Sequence, residues 1–273
     1  MTDTDVGTLL VDAHVHVYDC FDIDTLLDAA LRNFNHVAKK ADLDDDFSGV
    51  LLLSETSRDN WFLQSSMTDS YRHWQIEKTR DKTVLQARLR TDNAYSNNII
   101  YIVAGRQIIT AEGLELLALV TDSTFEDGLP ISSALSAVRE QDAIPVLPWA
   151  VGKWLGKRGK ILSSLLAAEA KAHNNLWLGD NSARPVFWSN PSHFKQARVL
   201  NMPVLPGTDP LPFASEANRV GSFGFSMRGQ LSKAQPATDL KRLLRAKETE
   251  VLVYGQLENP WRFFINQIRL RMA

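Results

Sequence analysis

Two histidines one residue apart, in Leu10-Val11-Asp12-Ala13-His14-Val15-His16-Val17, carry the sharpest chemical signal in the chain. Residues two apart on a strand point to the same side, so His14 and His16 project together, with Val11, Val15 and Val17 on the opposite face. Near the C-terminal end of a strand, both imidazoles can reach one cation at about 2.0–2.1 Å per Zn–N bond. The competing use of this spacing is a pair of core histidines that only hydrogen-bond to their surroundings. A second signal comes much later, in Val204-Leu205-Pro206-Gly207-Thr208-Asp209-Pro210. There an apolar strand runs into an aspartate, and the proline ends the pairing. Asp209 at such a rim can bind a metal, or take a proton from a water whose pKa a cation has lowered to about 7. Its competing use is a turn or helix cap. Taken together, His14, His16 and Asp209 favour a metal site.

For these groups to meet, their strands must be neighbours with ends on one side. Short apolar runs rich in β-branched residues predict strands at 8–17, 49–54, 84–89, 99–109, 114–121, 145–150, 176–180 and 203–208. Helical patterns cover 24–40, 131–141, 160–173 and 192–199. In the second of these, apolar groups fall three and four apart, as a helix covering a sheet requires. Such alternation implies βαβ units and a mostly parallel sheet. The strand count points to an α/β barrel as one domain over 1–273, with an irregular excursion or lid at about 60–98. A C-terminal amphipathic helix is expected at about 259–271, with Pro260 in its first turn.

At the two strand ends the chain resembles the amidohydrolase and PHP (polymerase and histidinol phosphatase) metal-dependent barrels. Their first strand ends in D-x-H-x-H, matched by Asp12, His14 and His16, and a last strand carries G-[ST]-D, matched by Gly207, Thr208 and Asp209. The order of elements is closer to PHP, and the likeness runs in outline over 9–224. It implies a (β/α) barrel of TIM or distorted seven-stranded PHP type, and a hydrolase with a metal-activated water. Several family motifs differ. T-D-H becomes Ser54-Glu55-Thr56, and A-H-P becomes Pro148-Trp149-Ala150. The terminal S-D-x-H reads Thr208-Asp209-Pro210-Leu211, without its histidine. The G-x-E segment corresponds to Gly105-Arg106-Gln107 or to Gly113-Leu114-Glu115, and Gln107 stands where a bridging glutamate is expected. The resemblance therefore implies one divalent metal (Zn, Mn or Fe) on His14, His16 and Asp209, with Glu55 and Glu115 as additional ligands, rather than a trinuclear centre.

Two loops after strands carry cations, and Arg184 and Lys153 are the expected substrate-binding residues, able to clamp a phosphate or carboxylate. Trp149, Trp154 and Trp188 nearby can line a pocket or pack in the core. Of the other histidines, His36 and His173 read as surface residues, His193 as a first-turn helix residue, and His73 as a lid residue. The acidic run at 42–46 reads as a solvated turn.

Composition bounds the rest. The 273 residues are 44% hydrophobic and 23% charged, with a net charge of -2, which gives no basic surface for nucleic acid. One cysteine excludes an intrachain disulfide and a cysteine-cluster zinc site. The first residues lack a basic signal-peptide start, and no apolar run nears the roughly 20 residues of a membrane helix. A cytoplasmic hydrolase of a small ester, amide or phosphate substrate is expected, with no nucleic-acid or membrane partner. The rival expectation is a catalytically degenerate barrel that binds a metabolite or a protein.

Overall fold

The computed structural model describes residues 7–43, 47–67, 71–90, 95–246 and 251–272. In chain order these form β1 (Thr8–Val15), α1 (Ile23–Lys40), β2 (Phe47–Leu53), α2 (Trp61–Ser65), β3 (Trp74–Lys78), β4 (Val84–Arg90), β5 (Tyr95–Val103) and β6 (Gly105–Ile109). They continue with β7 (Glu115–Leu119), α3 (Ile131–Glu140), β8 (Ile144–Pro148), α4 (Gly156–Lys171), β9 (Trp177–Asn181), α5 (Ser192–Val199) and β10 (Val204–Gly207). The last elements are β11 (Gly224–Arg228), α6 (Pro236–Arg245), β12 (Leu252–Tyr254) and α7 (Pro260–Met272). Part of the 42–46 run, parts of the 60–98 excursion and the first six residues lie outside the described residues.

The strands make two mixed sheets, ordered β12-β11-β1-β2-β5-β4-β3 and β10-β9-β8-β7-β6. Among the described residues the ladders do not close into one hydrogen-bonded ring. The expectation of a mostly parallel sheet is corrected. The pairs β1/β2, β2/β5, β8/β9 and β9/β10 are parallel, and the other six are antiparallel. The cause is partly connection length: 79–83 and 110–114 are too short for the dozen or so residues of a parallel crossover, so β3/β4 and β6/β7 form hairpins. Much of the irregular excursion is therefore sheet, with β3 at the edge and β4 beside it.

Apolar residues sort into three layers. Leu9, Val11, Val50, Val103, Leu117, Val146 and Leu205 fill the space between the sheets. Leu10, Val15, Leu51 and Leu53 pack outward with Phe34 and Leu27 of α1. Leu116, Ala118, Leu147 and Leu178 pack on α3, α4 and α5. Alternating strand residues thus serve an inner and an outer core, as expected for strands buried on both faces. No described helix is long and apolar enough to cross a membrane.

The sheets touch along two seams, and a glycine sits at each. β5 and β6 run as one bent strand along β2, since Ser48↔Ile99, Leu52↔Val103 and Glu55↔Arg106 keep one offset while the strand passes from the first sheet to the second. A Cβ on Gly105, at the bend, would lie 2.2 Å from the Leu53 carbonyl oxygen. At the other seam a Cβ on Gly207 would lie 2.2 Å from the His14 backbone nitrogen. Neither neighbour is a side-chain end that can swing aside. Gly207→Ala should therefore push β10 from β1 and cost about 1–3 kcal/mol of stability. Chemical denaturation of both proteins checks this, and an unchanged midpoint would refute so close an approach.

Candidate metal site

β1 delivers His14, and His16 just past its end, through an irregularity. Thr8 to Asp12 pair with Phe47 to Leu51 in simple register, but Val15 pairs with Leu53, so three steps along β1 match two along β2. This extra residue reverses the alternation, as bulges beside functional sites do. Val11 faces the inter-sheet core while Val15 and Val17 face the helix side. The expectation that all three valines share a face is corrected, and the bulge is the reason.

The second seam is fastened by Asp12, which is buried. Its Oδ1 accepts from Thr208 N at 2.7 Å and His14 N at 3.3 Å, and its Oδ2 from Thr208 Oγ1 at 2.5 Å and Gly221 N at 2.9 Å. Burial pushes its carboxyl up to about 6 against these four donors. Asp12 therefore orients β1 against the end of β10 and presents no free oxygen to a ligand. Beyond Thr208 the chain enters the left-handed region at Asp209 (φ 48°), whose N–H donates to the His14 carbonyl at 2.8 Å.

That turn brings the structure's candidate ligands together. His14 Nε2 and His16 Nε2 are 3.0 Å apart, and each is 3.5 or 3.6 Å from Asp209 Oδ1. His14, His16 and Asp209 form the one group of three or more His, Cys, Asp or Glu donors within 4.8 Å of one another among the described residues. Donors 2.0–2.2 Å from a tetrahedral cation lie about 3.3–3.6 Å apart. The two edges to Asp209 match this and the 3.0 Å histidine edge is shorter, so the triangle has the size for one cation with a narrowed angle between the histidines. Burial lowers both imidazoles to about 4, so their lone pairs are free at neutral pH. A weaker upward pull comes from Glu115 on His14, from Asp209 and Asp59 on His16, and from Gln107 on both. Burial also raises Asp209, opposed by His16, Lys153, Asn181 and Arg219.

Asn181, at the end of β9, donates from Nδ2 to Asp209 Oδ2 and to the Trp149 carbonyl, each at 2.8 Å. Its Oδ1 and the Nδ1 of His16 are buried with no partner. Tyr18 stacks on His16 at 5.5 Å between ring centroids. Neither Asn181, Tyr18, Asp59 nor Arg219 stands out in the sequence. An inward position at the end of a parallel strand is the signal that could have found Asn181.

The other expected site residues lie as follows. Glu55 is corrected as a ligand. Its Oε1 accepts from Phe62 N at 2.7 Å, its Oε2 pairs with Arg106 at 2.9 Å, and it is outside the ligand group. Glu115 is near enough to His14 to act on its charge, but its carboxylate is bonded to Lys153. Lys153 thus stands at the site, as a neutralised pair. Arg184 is corrected outright. Asn181 faces Asp209, so its strand neighbour Asp180 points the other way, and Arg184 Nε bonds to Asp180 at 2.7 Å and its Nη1 to the Trp188 carbonyl at 2.7 Å. Trp149 and Trp154 are core residues, His193 bonds to the Gly159 carbonyl at 2.9 Å, and His73 is exposed on β3's approach.

In sequence the chain matches no protein-family model and no curated protein. In structure it is similar to PsfC from Pseudomonas syringae PB-5123, with a TM-score of 0.55 and 15% identity over 98% of this chain and 100% of that one. It is also similar to the lesion-specific endonuclease PfuEndoQ from Pyrococcus furiosus, with a TM-score of 0.53 and 9% identity over 92% of this chain. The chain spans 59% of that endonuclease. At these identities the likeness is one of fold.

Proposed function

We propose that this protein is a metal-dependent hydrolase of a small ester, amide or phosphate substrate. The observation that carries the reading is the meeting of two neutral imidazoles and one carboxylate in a triangle sized for a single cation. Three protein donors leave a coordination position open, which is the pattern of catalytic rather than structural sites. Zn²⁺, Mn²⁺ or Fe²⁺ held there would polarise the substrate and acidify a water. His14 and His16 would hold the ion, Asp209 would accept the proton of the attacking water, and Asn181 fixes that carboxylate through its 2.8 Å hydrogen bond to Oδ2. Gln107, a neutral amide beside both rings, offers no second anionic ligand, which favours one metal rather than several.

The motifs Asp12-x-His14-x-His16 and Gly207-Thr208-Asp209 support a PHP-like origin. The two seams arrange β1, β2 and β6 to β10 around the inner core, which is read as the distorted seven-stranded version of the barrel. Elemental analysis of protein purified without a metal-affinity tag, beside hydrolysis of generic phosphate and ester substrates, tests the reading. About one metal per chain and turnover of at least one substrate class are expected. A metal-free, inert protein would turn the assignment to a degenerate barrel that binds a metabolite or partner.

Retention of the ion should follow the depressed imidazoles. Protons compete with a metal only as the pH nears the ligand's own pKa, so burial moves this competition down from about 6.5 to about 4. Dialysis at stepped pH should leave the metal in place at pH 6, with release setting in only as the pH reaches about 4 or below. Complete loss by pH 6, with the fold intact by circular dichroism, would contradict buried neutral ligands.

A further inference from the structure

Beside the metal site a cavity of 780 Å³ opens between β2's C-terminal loop, the β3–β4 turn and β6. Its size is that of pockets holding small organic molecules, about 300–1,000 Å³. Gln107 and Asp59 stand in the wall it shares with the site, since Gln107 reaches both imidazoles and Asp59 acts on the charge of His16.

The lining divides into a floor and a rim. Phe62, Leu85 and Ile108 are buried apolar walls, and Phe125 is half-buried beside them. Arg58, Lys78, Arg80 and Lys82 stand exposed at the edge. The carboxylates of this cavity are already engaged. Glu55 holds Arg106, Asp122 holds Lys82, Asp59 accepts from Thr56, and Asp81 accepts from Thr83 and Ala237. Arg58, Lys78 and Arg80 have no carboxylate partner among the described residues. The cavity thus offers an apolar interior with Arg58, Lys78 and Arg80 unpaired at its edge. Asp59 and Asp81 keep their charges beside neutral donors, so five cations against four carboxylates leave the lining one positive charge in excess. The cations first expected at the metal itself, Lys153 and Arg184, are both neutralised.

We infer that this cavity is the subsite for the non-reacting part of the substrate, and that it takes an apolar, ring-sized body bearing an anionic group. The word substrate rests on the hydrolase reading; the binding chemistry does not. Naphthalene-1-sulfonate is a suitable probe, because its ring suits the floor and its sulfonate is a weak metal ligand. Calorimetry on the full chain would compare it with neutral 1-naphthalenemethanol and with inorganic sulfate.

The sulfonate is expected to bind at least about tenfold more tightly than either control. The double variant Lys78→Gln/Arg80→Gln should weaken it by about five- to tenfold, the sum of two exposed ion pairs. Raised salt should act in the same direction. His14→Ala should bind it as the unaltered protein does. Equal affinity for the neutral ring, or unchanged affinity in the double variant, would overturn the inference. Sulfonate binding that vanishes in His14→Ala but survives in the double variant would also overturn it, by placing the probe on the metal. A protein with no metal and no turnover that still binds the sulfonate through Lys78 and Arg80 would overturn the hydrolase reading and uphold the cavity. An active metalloprotein indifferent to the sulfonate would do the reverse.

Discussion

His14→Ala and His16→Ala should each yield a folded protein that has lost its metal. Each change removes one of three donors from a triangle with edges of 3.0, 3.5 and 3.6 Å. Loss of an outer residue that merely orients a ligand costs about 10–100-fold in affinity, so loss of the ligand itself should exceed about 100-fold. The fold should tolerate the change. Neither ring ties distant elements together by a strong hydrogen bond, and the His16 Nδ1 is buried without any partner. The informative control is His193→Ala. That ring is also buried, but it bonds to the Gly159 carbonyl and packs edge-on against Trp154 at 5.4 Å, so its loss should lower stability and leave metal content alone. Elemental analysis and thermal melting of the three variants separate these outcomes. Full metal occupancy in both site variants would end the metal-site reading.

The second large effect should come from Asp209→Asn. A positioned general base contributes about 10²–10⁴-fold in rate, and turnover should fall by that order. The variant keeps the shape but has one oxygen where the carboxylate has two. Asp209 uses both, Oδ1 facing the histidines and Oδ2 accepting from Asn181 at 2.8 Å. An amide must choose between them, so metal affinity should weaken modestly while the melting temperature stays nearly constant. Hydrolysis assays with saturating metal distinguish lost chemistry from lost occupancy. Undiminished turnover in the Asn variant would remove Asp209 from the mechanism.

The meeting of His14, His16 and Asp209 was legible because each obeys a one-dimensional rule. His14 and His16 are two apart on a strand, and Asp209 follows an apolar run that a proline halts. Arg184 was misplaced because its position after a strand end was read without the strand's alternation. Asp180 is four residues before it and points outward, which settles the pairing. The bulge in β1 depends on how β2 lies beside it, and nothing in 8–17 announces it. Asn181 and Gln107 acquire their roles only from neighbouring strands. In the fold, the long apolar strands and the amphipathic helices α1, α3 and α5 announce themselves. β3 and β11 do not, being short and mixed with Gly, Ser, Gln or Glu, and β12 is only three residues long. The predicted strand at 99–109 is the bent β5–β6 pair, broken only at Ala104. α6 was readable from Pro236 in its first turn and from Leu240, Leu243 and Leu244, a signal that a strand-centred reading passes over.

The Asp12 fastening also sets a timetable for biosynthesis. Its partners Thr208 and Gly221 lie 196 and 209 residues downstream. At ribosomal rates of about 5–20 residues per second, Thr208 follows Asp12 by roughly 10–40 s. Throughout that interval β1 has left the ribosome with both histidines but without the carboxylate that completes the triangle. Two imidazoles on an unfinished sheet would rank divalent ions only by the order common to nitrogen ligands, with no geometry to alter it. On the metal-site reading, any selection by geometry would wait on the arrival of β10. Loading, on that reading, would belong to the completed chain, and the ions free in the surroundings at that moment would compete for it by affinity and abundance.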